Sequence, residues 1–275
     1  MSRLFRADLR RLKKSRIFWG MLLAEGLFMV MVCVSQYRNM LKWEEALSLD
    51  SVLFSAVYLP CILLAVICAL FIGTEYSDGT IRNKIITGQT RGSIYFAGLF
   101  SCVVAAGAMM AAGFLTGAAL GIPMFDKMEM SGAMFACLLA ESILNVLVYA
   151  SLYHMIALLC DRKAYTAIIC MALAFALLAA GAWVIARLSE PEYIQGMLMT
   201  VDGVQDAMME PNPNYLSGTL REVFYWLLDL IPYGQCLEIA QRMVVNPARM
   251  AAISVGWIVV INSAGFWFFK KKDIR

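Results

Sequence analysis

Long apolar runs separated by short polar segments make up most of this chain. Each run has the length, about 20 residues, that an α-helix needs to cross the hydrocarbon core of a bilayer. The predicted spans are Ile17–Val34, Val52–Ile72, Ile94–Leu120, Ala133–Leu159, Ala164–Ala186 and Met250–Phe269. The pattern therefore predicts an all-α, polytopic membrane protein with six transmembrane helices.

The amino-acid composition supports this architecture. Of the 275 residues, 61% are hydrophobic and only 16% are charged, and the mean hydropathy is +0.70. A soluble domain has about 45–50% apolar and about 25% charged residues, because it must keep a polar surface in water. A water-soluble globular enzyme does not fit these values, and the lipid bilayer is the expected environment.

The positions of Lys and Arg predict the orientation of the spans. If the N-terminus is cytoplasmic and the loops alternate, most of the 23 Lys and Arg residues lie on the cytoplasmic side, as the positive-inside rule requires. Both termini are therefore predicted to be cytoplasmic. Because the cations sit beside apolar spans, they indicate membrane topology rather than a basic surface for nucleic acid, and no nucleic-acid partner is expected.

Two predicted non-membrane segments stand out within the single domain 1–275. Residues 1–16 are basic and amphipathic, with Leu4, Phe5, Leu9 and Leu12 on one helical face, which predicts a helix lying in the membrane interface. Residues 187–249 form one large outer loop. Its apolar segment Val223–Tyr233 is too short to span a bilayer, so an interfacial or re-entrant helix is expected there.

The chain lacks the motifs of the common catalytic sites. It has no G-x-x-x-x-G-K-[ST] sequence with which to cradle ATP phosphates. Its single histidine, His154, cannot complete an H-E-x-x-H zinc site. The eight cysteines form no C-x-x-C pair and lie mostly in apolar runs, where they behave as small buried hydrophobes. We expect no catalytic residue, no metal and no cofactor bound by this chain.

The loop between the second and third spans carries the most informative polar pattern. A short helix is predicted at Thr80–Thr87, between Gly79 and Gly88. Cations alone would be enough to hold this loop on the cytoplasmic side. The acids Glu75 and Asp78 are not explained by topology, so the mixed charge favours contact with a partner protein.

This loop resembles the permease subunits of type-2 ATP-binding-cassette (ABC) exporters, which carry Gly-x-Glu-Tyr-x-x-Gly-Thr-Ile-Arg and then a Gly-x-[Ser/Thr]-Arg turn. The matching residues are Gly73, Glu75, Tyr76, Gly79, Thr80, Ile81, Arg82, Gly88, Thr90 and Arg91. The resemblance covers the whole chain, including the Ile231–Gln235 element and the closing tail with Asp273 and Ile274. In its size and its single large outer loop, the chain is most similar to bacterial permeases of bacitracin or lantibiotic resistance and efflux.

The resemblance implies that the loop at residues 73–93 docks on a separate cytoplasmic ATP-binding subunit, which holds ATP and Mg²⁺. The residues it assigns to this coupling are Gly73, Glu75, Tyr76, Asp78, Gly79, Thr80, Arg82 and Arg91. It also implies a second permease subunit, either identical or related, a place in the bacterial plasma membrane, and export or extraction of an amphipathic peptide antibiotic, drug or lipid-like molecule. The alternative is a non-transporting membrane sensor or assembly subunit that binds the same kind of ATPase.

Two acids fall inside predicted spans, where a charged side chain costs about 2.5–3.5 kcal/mol. One of them begins a polar row at steps of four on the fourth span, formed by Glu141, Asn145, Tyr149 and Tyr153. This row is either a substrate-facing track or a hydrogen-bonded packing seam with Glu141 protonated. The other acid, Glu25, is isolated, which favours a structural partner inside the bundle.

Small residues repeat at steps of four on the third predicted span, at Gly113, Gly117 and Gly121. Such a row lets two helices approach closely. The sequence is compatible with packing inside one chain and with an interface between two subunits.

Overall fold

A computed structural model describes the backbone of residues 2–200 and 203–272 and the side chains of residues 4–194 and 209–272. Its helices are α1 (Ser2–Lys14), α2 (Arg16–Trp43), α3 (Leu49–Leu53), α4 (Tyr58–Ile67), α5 (Gly73–Ser77), α6 (Thr80–Ile86), α7 (Arg91–Met124), α8 (Gly132–Leu159), α9 (Lys163–Leu188), α10 (Gly218–Leu230), α11 (Pro232–Gln241) and α12 (Pro247–Lys271). Among the described residues, six helical segments are long and apolar enough to cross a membrane: α2, the second span Leu49–Ser77 (α3 to α5), α7, α8, α9 and α12. The predicted all-α, multi-pass membrane architecture is confirmed.

The first span is longer than the apolar pattern predicts. It begins directly after α1, where Ser15 caps the new helix by accepting a hydrogen bond from the Phe18 amide at 3.4 Å. It then continues beyond the predicted end at Val34 as far as Trp43, and stops where Glu44 takes a left-handed φ of 54°. The polar residues after Val34 include no proline or glycine, so they end the apolar run without breaking the helix.

The second span forms the centre of the bundle. In its most apolar stretch 67% of the residues are buried, against 22% in α2, α9 and α12. It is also irregular, with a 3-10 turn at Phe54–Val57 and a π-helical turn at Cys68–Ile72 that leads into α5. Hydropathy predicts that this segment spans the membrane, but it does not distinguish a central helix from lipid-facing ones.

The glycine row on α7 packs inside the chain. A Cβ atom added to Gly113 would lie 2.5 Å from Glu25 Oε1, and one added to Gly117 would lie 2.8 Å from Met29 Cε. A Cβ on Gly121 would collide with the Leu49 side chain. The small residues therefore allow α7 to lie close to α2 and α3. Of the two roles open from the sequence, the structure places the row in packing within one chain.

Helix α1 and the last turn of α12 lie at one end of the bundle, which we call the termini end. There the Lys84 ammonium is 2.8 Å from Glu75 and 3.1 Å from Asp8 of α1. The Lys272 ammonium is 2.7 Å from Asp161, in the turn between α8 and α9. The tail residues Asp273 and Ile274 lie outside the described residues.

The remaining loops meet at the opposite end, where Arg242 lies 2.6 Å from Asp50. The large loop contains an antiparallel hairpin of β1 (Tyr193–Thr200) and β2 (Gly203–Pro211), followed by α10 and α11. The expectation of one helix over Val223–Tyr233 is wrong in its boundaries, since α10 ends at Leu230 and a second helix, α11, begins at Pro232. Proline lacks an amide hydrogen and suits the first turn of a new helix.

Candidate functional site

The loop at the termini end is built around the short helix α6. Gly79 precedes it with a φ of +66°, and Gly88 follows it with a φ of +86°. Glycine adopts this left-handed conformation without the steric cost that a side chain imposes. The predicted helix between two glycines is confirmed, and α6 is a compact segment with a sharp turn at each end.

Glu75 is buried beneath α6 and paired with two cations. Its Oε1 atom lies 2.6 Å from Arg11 Nη1 and 2.8 Å from Lys84 Nζ. Lys84 also contacts Asp8, so the two acids and two bases form one cluster between α1 and the loop. Because an unpaired buried charge costs several kcal/mol, this inner ion cluster (Asp8, Arg11, Glu75 and Lys84) fixes α6 against α1.

Other predicted coupling residues attach the loop to α9 and α12. The Lys272 ammonium lies 4.0 Å from the centre of the Tyr76 ring. The Arg91 guanidinium donates to three carbonyl oxygens at the end of α12, the shortest bond being 2.6 Å to Lys272. Gly73 allows close contact with α9, since a Cβ there would lie 3.3 Å from Lys163 Cα. These three residues hold the loop in place from within.

The outward side of the loop has a different character. Asp78, Arg82 and Asn83 are exposed, and Ile86 is 72% exposed although it is strongly apolar. Arg82 and Ile86 are four residues apart, which puts them on the same side of α6. We call these four residues the loop face. Gly79 and Thr80 lie partly exposed at its edge, so the sequence-predicted coupling set divides into an exposed group and a buried anchoring group.

Three residues of this region escaped the sequence analysis. Asp8 and Arg11 belong to the basic first helix, where charge was interpreted only as topology and membrane contact. The available signal was Asp8, which is the single acid within residues 2–16. Ile86 was not predicted either. The signal available in the sequence was an apolar isoleucine within a polar loop.

The polar row on α8 is buried throughout and comprises Glu141, Asn145, Tyr149 and Tyr153. The Asn145 amide donates to the Pro232 carbonyl oxygen at 2.8 Å and to Gln235 Oε1 at 3.0 Å. Both acceptors belong to α11, so Asn145 joins α8 to α11. The rings of Tyr149 and Tyr153 lie 5.5 Å apart. At Asn145 the row has the geometry of a packing seam between helices.

Glu25 is completely buried on α2, with its carboxyl group against Gly113 of α7. Neither of its oxygens has a hydrogen-bond partner among the described residues. The structural partner expected from the sequence is not found among these residues. The Glu25 carboxyl group occupies the space that is free because Gly113 has no side chain.

Comparison with known proteins identifies one family. Residues 4–181 match the sequence profile described as ABC-2 family transporter protein. The matched range begins within α1, includes the inner ion cluster, the loop face and the polar row on α8, and ends within α9. A search of curated proteins finds no match.

Proposed function

The chain belongs to the ABC-2 family of transporter proteins, and from this we propose that it is the membrane subunit of an ATP-driven exporter in the bacterial cell membrane. The family is a membrane transport component and is not itself catalytic. In our proposal a separate cytoplasmic subunit binds ATP and Mg²⁺ and hydrolyses ATP. The permease exports or extracts an amphipathic molecule such as a peptide antibiotic, a drug or a lipid.

The observation that carries this proposal is the loop face. It presents an exposed arginine and a largely exposed isoleucine on the short helix α6, and the acid Asp78 in the turn that precedes this helix. Arginine is enriched among the residues that supply most of the binding energy of protein interfaces, and the buried core of an interface is more apolar than the rest of the protein surface. We place the ATP-binding subunit on this face, and the termini end on the cytoplasmic side.

The anchoring residues explain how docking would move the bundle. The inner ion cluster attaches α6 to α1, and Arg91 attaches the start of α7 to the end of α12. A displacement of α6 is therefore passed to several helices. Two permease subunits, identical or related, would be moved relative to each other when two ATP-binding subunits close around ATP.

Substitution of Ile86 tests the docking assignment. Ile86→Asp puts a charge at the centre of the proposed interface, and we expect at least tenfold weaker binding of the ATP-binding subunit, since an interface anchor typically contributes about 2 kcal/mol or more. Binding is measured by titrating the purified ATPase against the permease in lipid nanodiscs. ATP hydrolysis stimulated by the permease should fall in parallel.

The matched control is Leu220→Asp, which likewise replaces an exposed aliphatic side chain with aspartate, but on α10. It should leave ATPase binding unchanged. Arg82→Glu is a second disruptive variant on the loop face. Its charge-matched control is Arg38→Glu, at an exposed position in the last turns of α2. Unchanged binding and unchanged stimulation in both Ile86→Asp and Arg82→Glu would contradict the assignment.

A further inference from the structure

An apolar groove of about 630 Å³ lies between α1, α7 and α8. Its volume falls within the range of small-molecule sites, about 300–1,000 Å³. Three aromatic side chains line it, Phe5, Phe96 and Phe100, and the ring centres of Phe5 and Phe100 are 4.2 Å apart. The other lining residues are Ala97, Leu99, Val103 and Leu147. All of these side chains are apolar, so the groove suits a hydrocarbon chain.

The groove extends from α1 into the apolar part of the bundle. Helix α7 begins at Arg91 and α8 ends at Leu159, both at the termini end. At about 1.5 Å per residue, Val103 and Leu147 lie roughly 18 Å from that end along their helices. The hydrocarbon core of a bilayer is about 30 Å thick, so the groove reaches the depth at which acyl chains lie. Phe100 is 46% exposed, which leaves the groove open to such a chain.

A row of cations lies on α1 beside the groove. Arg6, Arg10 and Lys13 are exposed, and their spacing puts them on one side of the helix. None of the three forms an ion pair with another described residue. Because Phe5 lines the groove and directly precedes Arg6, the row lies at the edge of the groove. We call these three residues the cation row.

The acid within α1 does not neutralise the cation row. Asp8 is the single acid of residues 2–16, and it is buried and lies 3.1 Å from the Lys84 ammonium. The remaining arginine, Arg11, is paired with Glu75 at 2.6 Å. The helix therefore satisfies its inner charges within the protein and presents unneutralised positive charge outward. Such a surface attracts an anionic group.

Trp19 indicates where α1 lies relative to the membrane. It is 59% exposed, and its indole nitrogen donates to the Lys13 carbonyl oxygen at 2.8 Å. Tryptophan is enriched where the hydrocarbon core meets the lipid headgroups. Its contact with the end of α1 places the cation row at headgroup level and the groove on the hydrocarbon side. The two features together match the two parts of a phospholipid.

We propose that this site binds one anionic phospholipid from the leaflet at the termini end. An acyl chain lies in the groove, and the phosphate and headgroup lie against Arg6, Arg10 and Lys13. Each Lys or Arg near the membrane surface adds to the attraction for anionic lipids, whereas a zwitterionic lipid has no net charge. The site therefore selects lipids by headgroup charge and holds α1 against α7.

The bound lipid also stabilises the loop face. The inner ion cluster joins α1 to Glu75 and Lys84, so a lipid that holds α1 in place also holds this cluster. A consequence that rests on the proposed function is that ATP hydrolysis stimulated by the permease should be faster in anionic than in zwitterionic nanodiscs.

Native mass spectrometry of the full chain tests the binding. The protein is titrated in detergent with dioleoyl phosphatidylglycerol or dioleoyl phosphatidylcholine, which carry the same acyl chains. We expect about tenfold or tighter binding of the phosphatidylglycerol at the first site filled, because only this lipid has a net negative charge. Glycerol phosphate at the same concentration has no acyl chain and should not displace it.

A pair of double variants tests the cation row. Arg6→Gln/Lys13→Gln should weaken phosphatidylglycerol binding roughly fivefold or more, since each cation near the surface contributes to the attraction. Arg38→Gln/Lys42→Gln removes one exposed Arg and one exposed Lys from α2 and should keep the wild-type preference. Equal affinity for the two lipids, a preference that Arg6→Gln/Lys13→Gln leaves unchanged, or displacement by glycerol phosphate would overturn the inference.

A second pair of variants tests the groove. Val103→Trp fills it and should weaken binding of both lipids, whereas Val30→Trp, on the outward side of α2, should not. The same spectra report the oligomeric state. A dimer that dissociates in Val103→Trp, with lipid binding unchanged, would show that a second copy of the chain covers the groove and would contradict the lipid assignment.

Failure of this inference is separable from failure of the proposed function. If the lipid preference depends on Arg6 and Lys13 while no ATPase binds the loop face, the lipid site stands and the proposed function fails. If ATPase docking and ATP-driven transport are measured while the two lipids bind equally, the lipid site alone is wrong. If the lipid preference and docking both hold but hydrolysis is equal in the two kinds of nanodisc, only the effect on the loop face is wrong.

Discussion

Glu75 and Glu238 are both buried acids, but their surroundings differ. Glu75 lies within 2.8 Å of two cations that belong to α1 and α6, so its charge is satisfied inside the protein. We therefore assign it to positioning the loop face rather than to contact with a partner. Glu238 lies beside another acid: burial and its hydrogen bond with Asp229 raise the pKa of Glu238 to about 9, while Arg249 acts in the opposite direction.

Replacement of Glu75 should loosen α1. In Glu75→Gln the cations Arg11 and Lys84 lose their shared carboxylate, and the loss of charged hydrogen bonds should lower the stability of this region by about 1–3 kcal/mol. Hydrogen–deuterium exchange should then be faster in α1 than in the wild type. Asp78→Asn, an exposed acid in the same loop, is the control. Unchanged protection of α1 in Glu75→Gln would show that the inner ion cluster does not hold this helix.

At the scale of helices, close packing around α7 depends on its glycines, which have no side chain. A Cβ on Gly113 would lie 2.5 Å from Glu25 Oε1 and 2.9 Å from Ala56 Cβ. Gly107 on the same helix has no such neighbour within 4 Å of a Cβ. The same substitution should therefore lower stability at Gly113 and should not lower it at Gly107.

We expect Gly113→Ala to push α7 away from α2, with an overpacking cost of about 1–3 kcal/mol. Gly107→Ala should leave stability unchanged or raise it, because alanine favours a helix by up to about 1 kcal/mol. Thermal unfolding in detergent, followed by tryptophan fluorescence, measures the difference. Equal unfolding temperatures for the two variants would contradict the packing described for this pair of helices.

The elements that the sequence predicts well are those set by local pattern. The six spans follow from apolar length, and α6 follows from the glycines at positions 79 and 88. Which face of α6 is exposed, however, depends on how α1 packs against it, and this contact is not part of the local pattern. The buried state of Glu75 was not predictable for the same reason, since Arg11 is distant in sequence.

Other features were missed because tertiary contacts determine them. The central place of the second span and its turn at Cys68–Ile72 depend on the helices around it. The extension of α2 to Trp43 follows from helix propensity beyond the apolar run. The cavity between α9, α10 and α11 forms only because these three helices pack together, and the sequence gives no local pattern from which that packing could be predicted.

At the scale of the whole molecule, the loop face and the cavity lie at opposite ends of one bundle. Helix α12 reaches both ends: Arg91 binds the carbonyl oxygens at its last turn, and Arg249 in its first turn pairs with Asp229 beside the cavity. Asn145 joins α8 to α11 near the cavity end. This arrangement is compatible with the proposed coupling, because α12 connects the end that carries the loop face to the opposite end.

ATP-driven transport by the reconstituted complex tests this account most directly. The chain and its ATP-binding subunit are placed in proteoliposomes, and the movement of a fluorescent amphipathic peptide is followed with and without ATP. We predict movement that requires ATP and is lost in Ile86→Asp but retained in Leu220→Asp. Normal ATPase docking and hydrolysis without ATP-dependent movement of the peptide would contradict the account and would favour a non-transporting sensor or assembly subunit.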